Sequence, residues 1–150
     1  MQQDTLTPSN QDADLEQPIW NAALVPTSRR FEILPRLFGE RFMIKGELTV
    51  YNFMSGMCSS YTGGFWDFYE LPNGASYLVP TMAEHFDLSW HGNGFEGRVS
   101  ADAAGIIVTL CALSAMSFHD ETGTCADNFH LLSSTLERHP EALQIFRAID

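Results

Sequence analysis

The amino-acid sequence predicts an α+β fold: an antiparallel meander of about four strands packed with about four helices in one compact domain. Two turn signals, P-N-G at 72–74 and G-N-G at 92–94, separate short runs of aromatic and β-branched residues in the middle of the chain. Segments with helical periodicity lie before and after these runs, an order typical of α+β proteins. The 150 residues, 45% of them hydrophobic, are enough for a single core.

The first part of the chain is predicted to be a tail, a strand and a helix. Residues 1–20 are polar and acidic and are assigned to a flexible tail, and residues 21–150 to the folded domain. The segment 30–34 alternates apolar and polar residues, which favours a short strand that ends at Pro35. The segment 41–58 is predicted to be a helix whose buried face holds apolar residues three or four positions apart: Ile44, Leu48, Tyr51, Met54 and Cys58.

Four strands are predicted between residues 65 and 99. Glycines at 63 and 64 indicate a loop before them, and the two Asn-Gly pairs tolerate the positive φ that tight turns require. Phe86, Leu88 and Trp90 fall on one face of their segment, a strict period of two. The predicted strands are 65–71, 75–80, 85–91 and 95–99.

The last third of the chain is predicted to be helical. Ser100 is a good N-cap and Asp102 suits the helix dipole, so a helix is expected over 101–118. Because that helix is apolar on nearly every side, it should run through the centre of the protein. Thr124 is predicted to cap a second helix and Pro140 to begin a third. The predicted buried residues are Phe129, Leu132 and Leu136 in the second helix and Leu143, Phe146 and Ile149 in the third.

The net charge of −11 argues against a general nucleic-acid-binding protein, which needs a basic surface. It leads to the hypothesis of a protein that imitates DNA. Residues 1–17 hold four acids and no base, which leaves −7 for the rest of the chain. The folded body is about 35 Å across, and a DNA duplex of that length carries about 20 negative charges, far more than the body does. Imitation of DNA by the whole surface is therefore disfavoured, whereas a local acidic face stays a hypothesis.

Cysteine content and hydropathy predict a cytoplasmic protein. The three cysteines, Cys58, Cys111 and Cys125, are odd in number and widely spaced, which favours a reducing compartment over a disulfide framework. The N-terminal segment has neither the basic nor the apolar region of a signal peptide. The most apolar stretch, 103–118, is short for a membrane span and is better explained as a buried helix. We therefore expect no membrane partner.

Motifs for catalysis and metal binding are not found in the sequence. The best set of metal-binding residue types, His119, Asp120, Cys125 and His130, does not match the spacing of a zinc motif. Cys125 lies near a predicted helix start, where a thiol pKa can be lowered, but an ordinary thiol is the favoured interpretation. The sequence holds neither GxSxG nor a glycine loop for phosphate. It therefore predicts no catalytic residue, no cofactor and no metal site.

The strongest remaining feature is a group of aromatic residues around the first long strand. Trp66 and Phe68 are expected on one face of that strand, and Phe65 and Tyr69 on the other. Burial of both faces under helices or loops is the favoured explanation, and the alternative is that part of the second face binds a protein. The whole group is Tyr61, Phe65, Trp66, Phe68, Tyr69, Tyr77 and Trp90.

Four separated motifs stand out in the sequence: LPRLFG at 34–39, YxGGxWxFYxLxNG at 61–74, SADAAG at 100–105 and HPEA at 139–142. In this order they resemble the ArdB/KlcA antirestriction family, and the resemblance covers roughly residues 25–150. In the family an Asp usually precedes the tyrosine, where this chain has Ser60, and a glycine usually follows Asn-Gly, where this chain has Ala75. No role is therefore assigned to an acid at position 60.

The resemblance implies a small α/β fold peculiar to the family. It also implies relief of type I restriction, so that an incoming plasmid or mobile element survives in a new bacterial host. It supplies no catalytic residues. We therefore predict a non-enzymatic protein that binds the type I restriction-modification complex or a protein that controls it, without direct contact to nucleic acid. The competing hypotheses are a DNA mimic with a local acidic face and a hydrolase that uses Cys125 or a metal at His119.

Five residues near the motifs are predicted to be exposed and to contact the partner. They are Tyr61, Asp67, Glu70, Asn73 and Asp102. A structural explanation competes with this prediction for two of them, because Asn73 suits a tight turn and Asp102 suits the start of a helix.

Overall fold

The computed structural model describes residues 20–150, and the tail prediction for residues 1–19 lies outside this range. The α+β class is confirmed. The strands are β1 Ala23–Leu24, β2 Trp66–Glu70, β3 Ser76–Pro80, β4 His85–Trp90 and β5 Phe95–Ser100. The α-helices are α1 Ile33–Phe38, α2 Met43–Met57, α3 Ala101–Ser117, α4 Thr124–Ser133 and α5 Ala142–Ile149, and two 3-10 helices span Thr27–Glu32 and Leu136–Arg138. Among these residues no helix is long and apolar enough to cross a membrane.

The four predicted strands are present, but they form two hairpins in separate sheets. β2 and β3 pair antiparallel with Phe68 opposite Leu78, and the short β1 adds to the other edge of β2. β4 and β5 pair only with each other. The meander is interrupted between β3 and β4 because helix α3 packs against β3.

Helix α3 covers the edge of β3 that faces away from β2. The Leu78 N–H donates to Thr109 Oγ1 over 3.1 Å, so a helical side chain satisfies a backbone donor that another strand would otherwise take. A Cβ at position 105 would lie 2.0 Å from the Leu78 carbonyl oxygen, so Gly105 allows this close approach. The predictions of a central helix and its cap are confirmed, since Ala103 N–H donates to Ser100 Oγ over 3.1 Å.

The segment predicted as a strand, residues 30–34, is helical. The 3-10 helix Thr27–Glu32 runs directly into α1. Phe31 is 76% exposed whereas Ile33 is fully buried, so their alternation does not mark one buried face. Pro35 is the third residue of α1, where its missing N–H costs no helical hydrogen bond. The strand prediction was wrong because it relied on that alternation and took the proline as the end of the element.

The predicted buried face of α2 was only partly right. Met54 is buried, but Ile44 and Leu48 are more than half exposed. The actual core face is centred on Gly46 and Val50. A Cβ at Gly46 would lie 2.3 Å from the Phe38 ring, so the glycine is the contact point for α1 and not merely a weak helical residue.

The predicted buried face of α5 was also wrong. Ile145 and Ala148 are buried, whereas Leu143 is 71% exposed and Phe146 42% exposed. The helix begins at Ala142, two residues after Pro140.

Candidate functional site

The tip of the β2–β3 hairpin is a tight turn stabilised by the Asn73 side chain. Its side-chain oxygen accepts a hydrogen bond from the Ala75 N–H over 3.0 Å, and Gly74 has a φ of 94°. The Asn73 side-chain amide also donates to the Leu131 carbonyl over 3.4 Å, which ties the tip to α4. Turn geometry therefore accounts for this asparagine and the following glycine.

Asp67 and Glu70, on β2, are engaged in ion pairs with the helices that precede β2. Arg29 donates to Glu70 over 2.9 Å, with Arg36 3.6 Å from the same carboxylate, and Arg30 lies 3.6 Å from Asp67. The hydrogen bond from Arg29 lowers the pKa of Glu70. These pairs fasten the 3-10 helix and α1 to the first sheet.

Tyr61 belongs to a tilted stack of aromatic rings beneath β2. Its hydroxyl accepts a hydrogen bond from Trp66 Nε1 over 3.1 Å, and the two rings meet edge to face. Trp66 is 2% exposed and its ring centroid lies 5.3 Å from that of Tyr51. The Tyr61 side chain is therefore half-buried and packs against Trp66 within the fold.

The two faces of β2 differ in burial. Phe68 is buried with Trp66, and Tyr69, on the opposite face, is half-buried and stacks on Tyr77 with ring centroids 5.8 Å apart. Phe65, which precedes β2, is 63% exposed. The guanidinium of Arg30 lies 4.6 Å from the Phe65 ring and 4.4 Å from the Phe68 ring. Most of the second face is thus covered by the protein itself.

Asp102 is the centre of a hydrogen-bonded network between the hairpin and the C-terminal segment. Tyr77 donates its hydroxyl proton to Asp102 Oδ1 over 2.7 Å, and His139 Nε2 lies 2.8 Å from Asp102 Oδ2. Trp20 Nε1 donates to the Tyr77 hydroxyl over 3.1 Å. Burial, and next the Asp102 carboxylate, raise the pKa of Tyr77. Trp20, which we assigned to the tail, therefore packs in the body.

Both ring nitrogens of His139 are occupied. The Glu141 backbone N–H donates to Nδ1 over 2.9 Å, so this nitrogen carries a lone pair and the proton lies on Nε2, which donates to Asp102. The His139 side chain is 3% exposed. The imidazole has no nitrogen left to accept a proton from a substrate, as a general base must.

Ser100 and Glu141 extend the same network. The Ser100 N–H donates to Glu141 Oε1 over 2.9 Å, and the Ser100 hydroxyl donates to the other oxygen of this carboxylate. The serine oxygen also accepts the Ala103 N–H, the N-cap of α3. The hydroxyl thus has its partners within the fold.

The premise that the five predicted contact residues are exposed holds only for Asn73. Tyr61, Asp67, Glu70 and Asp102 are half-buried, because each contacts a neighbouring element through its side chain. Asp102 keeps part of its surface, with a side chain 32% exposed. The structure places all five in or beside the hairpin but does not bring them together on one open patch.

Asp120, a member of the best metal-binding set in the sequence, stabilises the turn before α4. Asp120 accepts hydrogen bonds from the Thr122 hydroxyl over 2.6 Å and from the Cys125 N–H over 2.9 Å. These bonds, the Thr122 hydroxyl first, lower its pKa to about 2. The N-cap residue of α4 is Gly123, not Thr124 as predicted, and Asp120 accepts an N–H of the first turn of that helix. Within residues 20–150 no cluster of three or more His, Cys, Asp and Glu residues could hold a metal ion.

Burial disfavours the thiolate form of two cysteines. It raises the pKa of Cys111 to about 12 and, together with the Asp120 carboxylate, that of Cys125 to about 12. Cys125 is fully buried and its thiol points to the Phe38 carbonyl oxygen. Neither cysteine has the electropositive surroundings of a nucleophile.

A groove of about 640 Å³ lies beside the hairpin tip. Its lining includes Trp20, Pro72 and Asn73 on one side and Thr135 and Arg138 on the other. The Asp102 network passes behind it through Trp20.

Sequence reasoning missed the network of His139, Tyr77 and Glu141. Tyr77 was grouped only with the aromatic residues, and His139 was noted only as part of the HPEA motif. These residues lie far apart in the chain, and no spacing in a single sequence connects them. The one available signal was that Ser100, Asp102 and His139 all lie within the family motifs.

Comparisons with known proteins give a consistent result. A family model described as antirestriction protein matches residues 59–150. An antirestriction protein KlcA from Escherichia coli is 41% identical over 139 residues, covering 90% of this chain and 97% of the relative. A second KlcA from Escherichia coli is 38% identical over 145 residues, covering 93% and 99%.

A solved structure is similar over the same extent. It has a TM-score of 0.77 and 40% identity, and the match covers 90% of this chain and 98% of the other. Its report states that the KlcA and ArdB proteins show a novel fold and antirestriction activity against Type I DNA restriction systems in vivo but not in vitro.

Proposed function

The chain belongs to the antirestriction protein family, and from this membership we propose that it relieves type I restriction of incoming plasmid or mobile-element DNA by binding a protein, without catalysis. The observation that carries the proposal is the likeness to the KlcA proteins, which extends over nearly the whole of both chains. The partner is the type I restriction-modification complex or a protein that controls it.

Activity of the KlcA and ArdB proteins in vivo but not in vitro favours a need for a further cellular component. A protein that inhibited the restriction enzyme alone would act on the purified enzyme. Of the two possible partners, this favours a cellular protein that controls the restriction-modification complex, because a reconstituted restriction assay contains the complex but lacks such a protein.

The non-catalytic mode is supported by how the polar groups are used. His139 has no free nitrogen, the Ser100 hydroxyl serves the cap and Glu141, and burial raises the pKa of both Cys111 and Cys125. A nucleophile with an adjacent free base, which covalent catalysis requires, is not found among the residues that the structure describes.

The contact role of Tyr61, Asp67, Glu70, Asn73 and Asp102 stays a prediction. Asn73 is the member best placed for it, because it is exposed at the mouth of the 640 Å³ groove. For the two acids on β2, loss of activity on substitution has to be separated from loss of the ion pairs with Arg29 and Arg30.

The test is the plating efficiency of phage carrying unmodified sites on a host with a type I system, with and without this protein. We expect the protein to raise plating by at least roughly the factor of ten that this kind of comparison resolves clearly. Plating on a host without restriction is the control and should not change. Equal restriction with and without the protein would overturn the proposal.

Two further variants test the absence of catalysis. Cys125→Ala and His119→Ala remove the groups on which the hydrolase hypothesis depends, and both variants should retain antirestriction activity. Cys125→Ala is compared at equal soluble expression, because Cys125 is buried and its loss leaves a small cavity. Loss of activity in a folded variant would favour the hydrolase.

A further inference from the structure

The groove beside the hairpin tip, here called the tip groove, has the size of a ligand site. Its volume of about 640 Å³ lies within the range of about 300–1,000 Å³ that is common for such sites. Three parts of the chain meet in it: the segment before β1, the β2–β3 turn and the segment that follows α4. The residues that line it are Trp20, Asn21, Leu71, Pro72, Asn73, Ser134, Thr135 and Arg138.

Arg138 gives the tip groove a positive charge that nothing in its lining neutralises. The other seven lining residues are uncharged. Among residues 20–150 no carboxylate is paired with the Arg138 guanidinium, although arginines elsewhere in the chain, such as Arg29 and Arg98, are paired with acids. In a chain of net charge −11, a hollow lined by a base and no acid favours an anionic ligand. The guanidinium is suited to a carboxylate, which it can bind through two parallel hydrogen bonds.

Trp20 and Pro72 supply the apolar part of the lining. Trp20 Nε1 donates to the Tyr77 hydroxyl, and the indole meets the His139 ring edge to face with centroids 4.8 Å apart. The indole is therefore held in place before a ligand arrives, which lowers the entropy cost of binding. An aromatic or aliphatic side chain of a ligand gains contact area against such a fixed ring.

Two hydroxyls in the lining are available as hydrogen-bond acceptors. Ser134 and Thr135 each donate the hydroxyl proton to a backbone carbonyl of α4, over 2.8 and 2.7 Å, so each oxygen keeps a lone pair. A peptide segment has backbone N–H groups to donate to these oxygens, whereas a free phosphate has few protons to donate. The lining therefore suits a peptide better than a small anion.

The tip groove also brings motif residues to the surface. Asn73, in the motif at 61–74, lines it and is exposed, and Arg138 directly precedes the motif at 139–142. This agrees with the prediction of Asn73 as a contact residue and adds Arg138 and Trp20, which the sequence did not single out.

We propose that the tip groove binds a segment of a partner protein in which an Asp or Glu side chain adjoins an aromatic or aliphatic one. The carboxylate pairs with Arg138, and the apolar side chain packs on Trp20 and Pro72. Backbone N–H groups of the segment donate to the hydroxyls of Ser134 and Thr135. The inference rests on the proposed function, for which it names the binding surface and the chemistry of the partner.

The test uses the full chain and two peptides of about four residues with both ends blocked. One peptide has Phe followed by Glu, and the other has Phe followed by Gln. NMR titration of the isotope-labelled protein with the Glu peptide should show saturable shifts of the Trp20 indole N–H and the Arg138 Nε–H signals. The affinity for the Gln peptide should be at least about tenfold lower, because it lacks the charge that Arg138 recognises.

Three variants locate the binding in the tip groove. Arg138→Gln should weaken binding of the Glu peptide at least about tenfold. Arg147→Gln is the matched control, since it removes the same charge from an exposed arginine of α5 outside the tip groove, and its affinity should stay within about twofold. Asn21→Asp places an acid in the lining with little change of shape, and it should weaken the Glu peptide more than the Gln peptide.

Antirestriction in the plating assay should follow the same order, with relief reduced at least about tenfold in Arg138→Gln and kept in Arg147→Gln. Circular dichroism verifies that the variants fold, and Asn21→Asp replaces Arg138→Gln if the latter does not. If the unaltered protein fails to relieve restriction, the proposed function is wrong, and the peptide titration still tests the groove. If it relieves restriction and the folded groove variants do so equally, the groove inference alone is overturned.

Four other results would also contradict the inference. Equal affinity for the two peptides would show that the carboxylate is not recognised. A dimer in sedimentation velocity that Arg138→Gln converts to a monomer would show that a second copy of the chain occupies the groove. Binding of the Glu peptide only after the four acids of residues 1–17 are changed to amides would show that the chain's own N-terminal segment occupies it. Binding of a DNA oligonucleotide that is tighter than that of the Glu peptide and is lost in Arg138→Gln would show that the arginine serves a phosphate.

Discussion

The hairpin region and the C-terminal helices use their side chains in opposite ways. Around the hairpin, residues of the family motifs are bonded to one another: Tyr61 to Trp66, Asp102 to His139, and Ser100 to Glu141. On the C-terminal helices, apolar side chains such as Phe118 and Leu143 face solvent and lie outside the motifs. The region that identifies the family is thus the one whose side chains hold the fold together. A single sequence draws attention to the first and not to the second.

The largest effect is expected where α3 meets the hairpin. Gly105→Ala places a Cβ 2.0 Å from a backbone oxygen, which neither α3 nor β3 can relieve by moving a side chain. We expect a loss of about 3 kcal/mol in the free energy of unfolding, measured by urea denaturation.

The matched substitution is Gly56→Ala, also within a helix. There the new Cβ would meet the Trp90 ring at an ordinary 3.5 Å, so we expect a gain of about 0.5–1 kcal/mol from helix propensity. Similar effects in the two variants would mean that the close approach of α3 to β3 is not as tight as described.

A smaller effect is expected in the Asp102 network. Tyr77→Phe removes the hydroxyl that donates to Asp102 and accepts from Trp20, so it should cost about 2 kcal/mol in the free energy of unfolding. Tyr69→Phe removes a hydroxyl from a ring in the same stack that is not bonded to Asp102, and its cost should stay below about 0.5 kcal/mol. Equal costs would argue that the network contributes nothing beyond packing.

Among the C-terminal helices, the turn before α4 that contains Asp120 should make the free energy of unfolding depend on pH. Asp120 has its pKa lowered from 3.8 to about 2, so its carboxylate stabilises the fold fully above about pH 4, and the contribution is lost as pH falls toward 2. Asp120→Asn should cost about 1.5 kcal/mol at pH 7. Urea denaturation at several pH values should show that the free energy of unfolding falls less between pH 4 and 2 in the variant than in the original protein. An equal fall in both proteins would contradict a stabilising role for the Asp120 carboxylate.

The smallest effect on stability is expected at the exposed apolar side chains of the C-terminal helices. Phe118→Ser and Leu143→Ser alter side chains that are 85% and 71% exposed, so the free energy of unfolding should change by less than about 0.5 kcal/mol. A loss above 1 kcal/mol in Phe118→Ser would show that this phenylalanine contributes to the fold, and the contrast between the two regions would then weaken.

Local signals predicted the hairpins and the central helix well. The Asn-Gly turns, the alternation of Phe86 and Leu88, and the cap at Ser100 each depend on residues only a few positions apart. What failed depends on tertiary packing. α5 has two apolar stripes, and Ile145 faces the core in place of Leu143 because of where α3 and β5 lie.

The site was harder to predict than the fold. The five proposed contact residues were chosen from motifs, and motifs do not distinguish a side chain that serves a partner from one that serves its own fold. Glu70 illustrates this, because its partners Arg29 and Arg36 lie on either side of the segment 30–34, which the sequence predicted to be a strand and which is helical. The exposure of two phenylalanines was missed because Phe146 was assigned to the core and Phe118 was taken as the end of a buried helix.

The hydrogen bond from Leu78 to Thr109 also bears on how the chain avoids self-assembly. β3 has the sequence Ser-Tyr-Leu-Val-Pro, an apolar and uncharged strand of the type that joins intermolecular sheets when its edge is open. α3 covers that edge. Because the Leu78 N–H is already bonded to Thr109, it is not available to a strand of a neighbouring molecule. Substitutions that loosen α3, Gly105→Ala above all, should therefore expose this edge. We expect such variants to accumulate in the cell as insoluble protein and not as soluble unfolded protein.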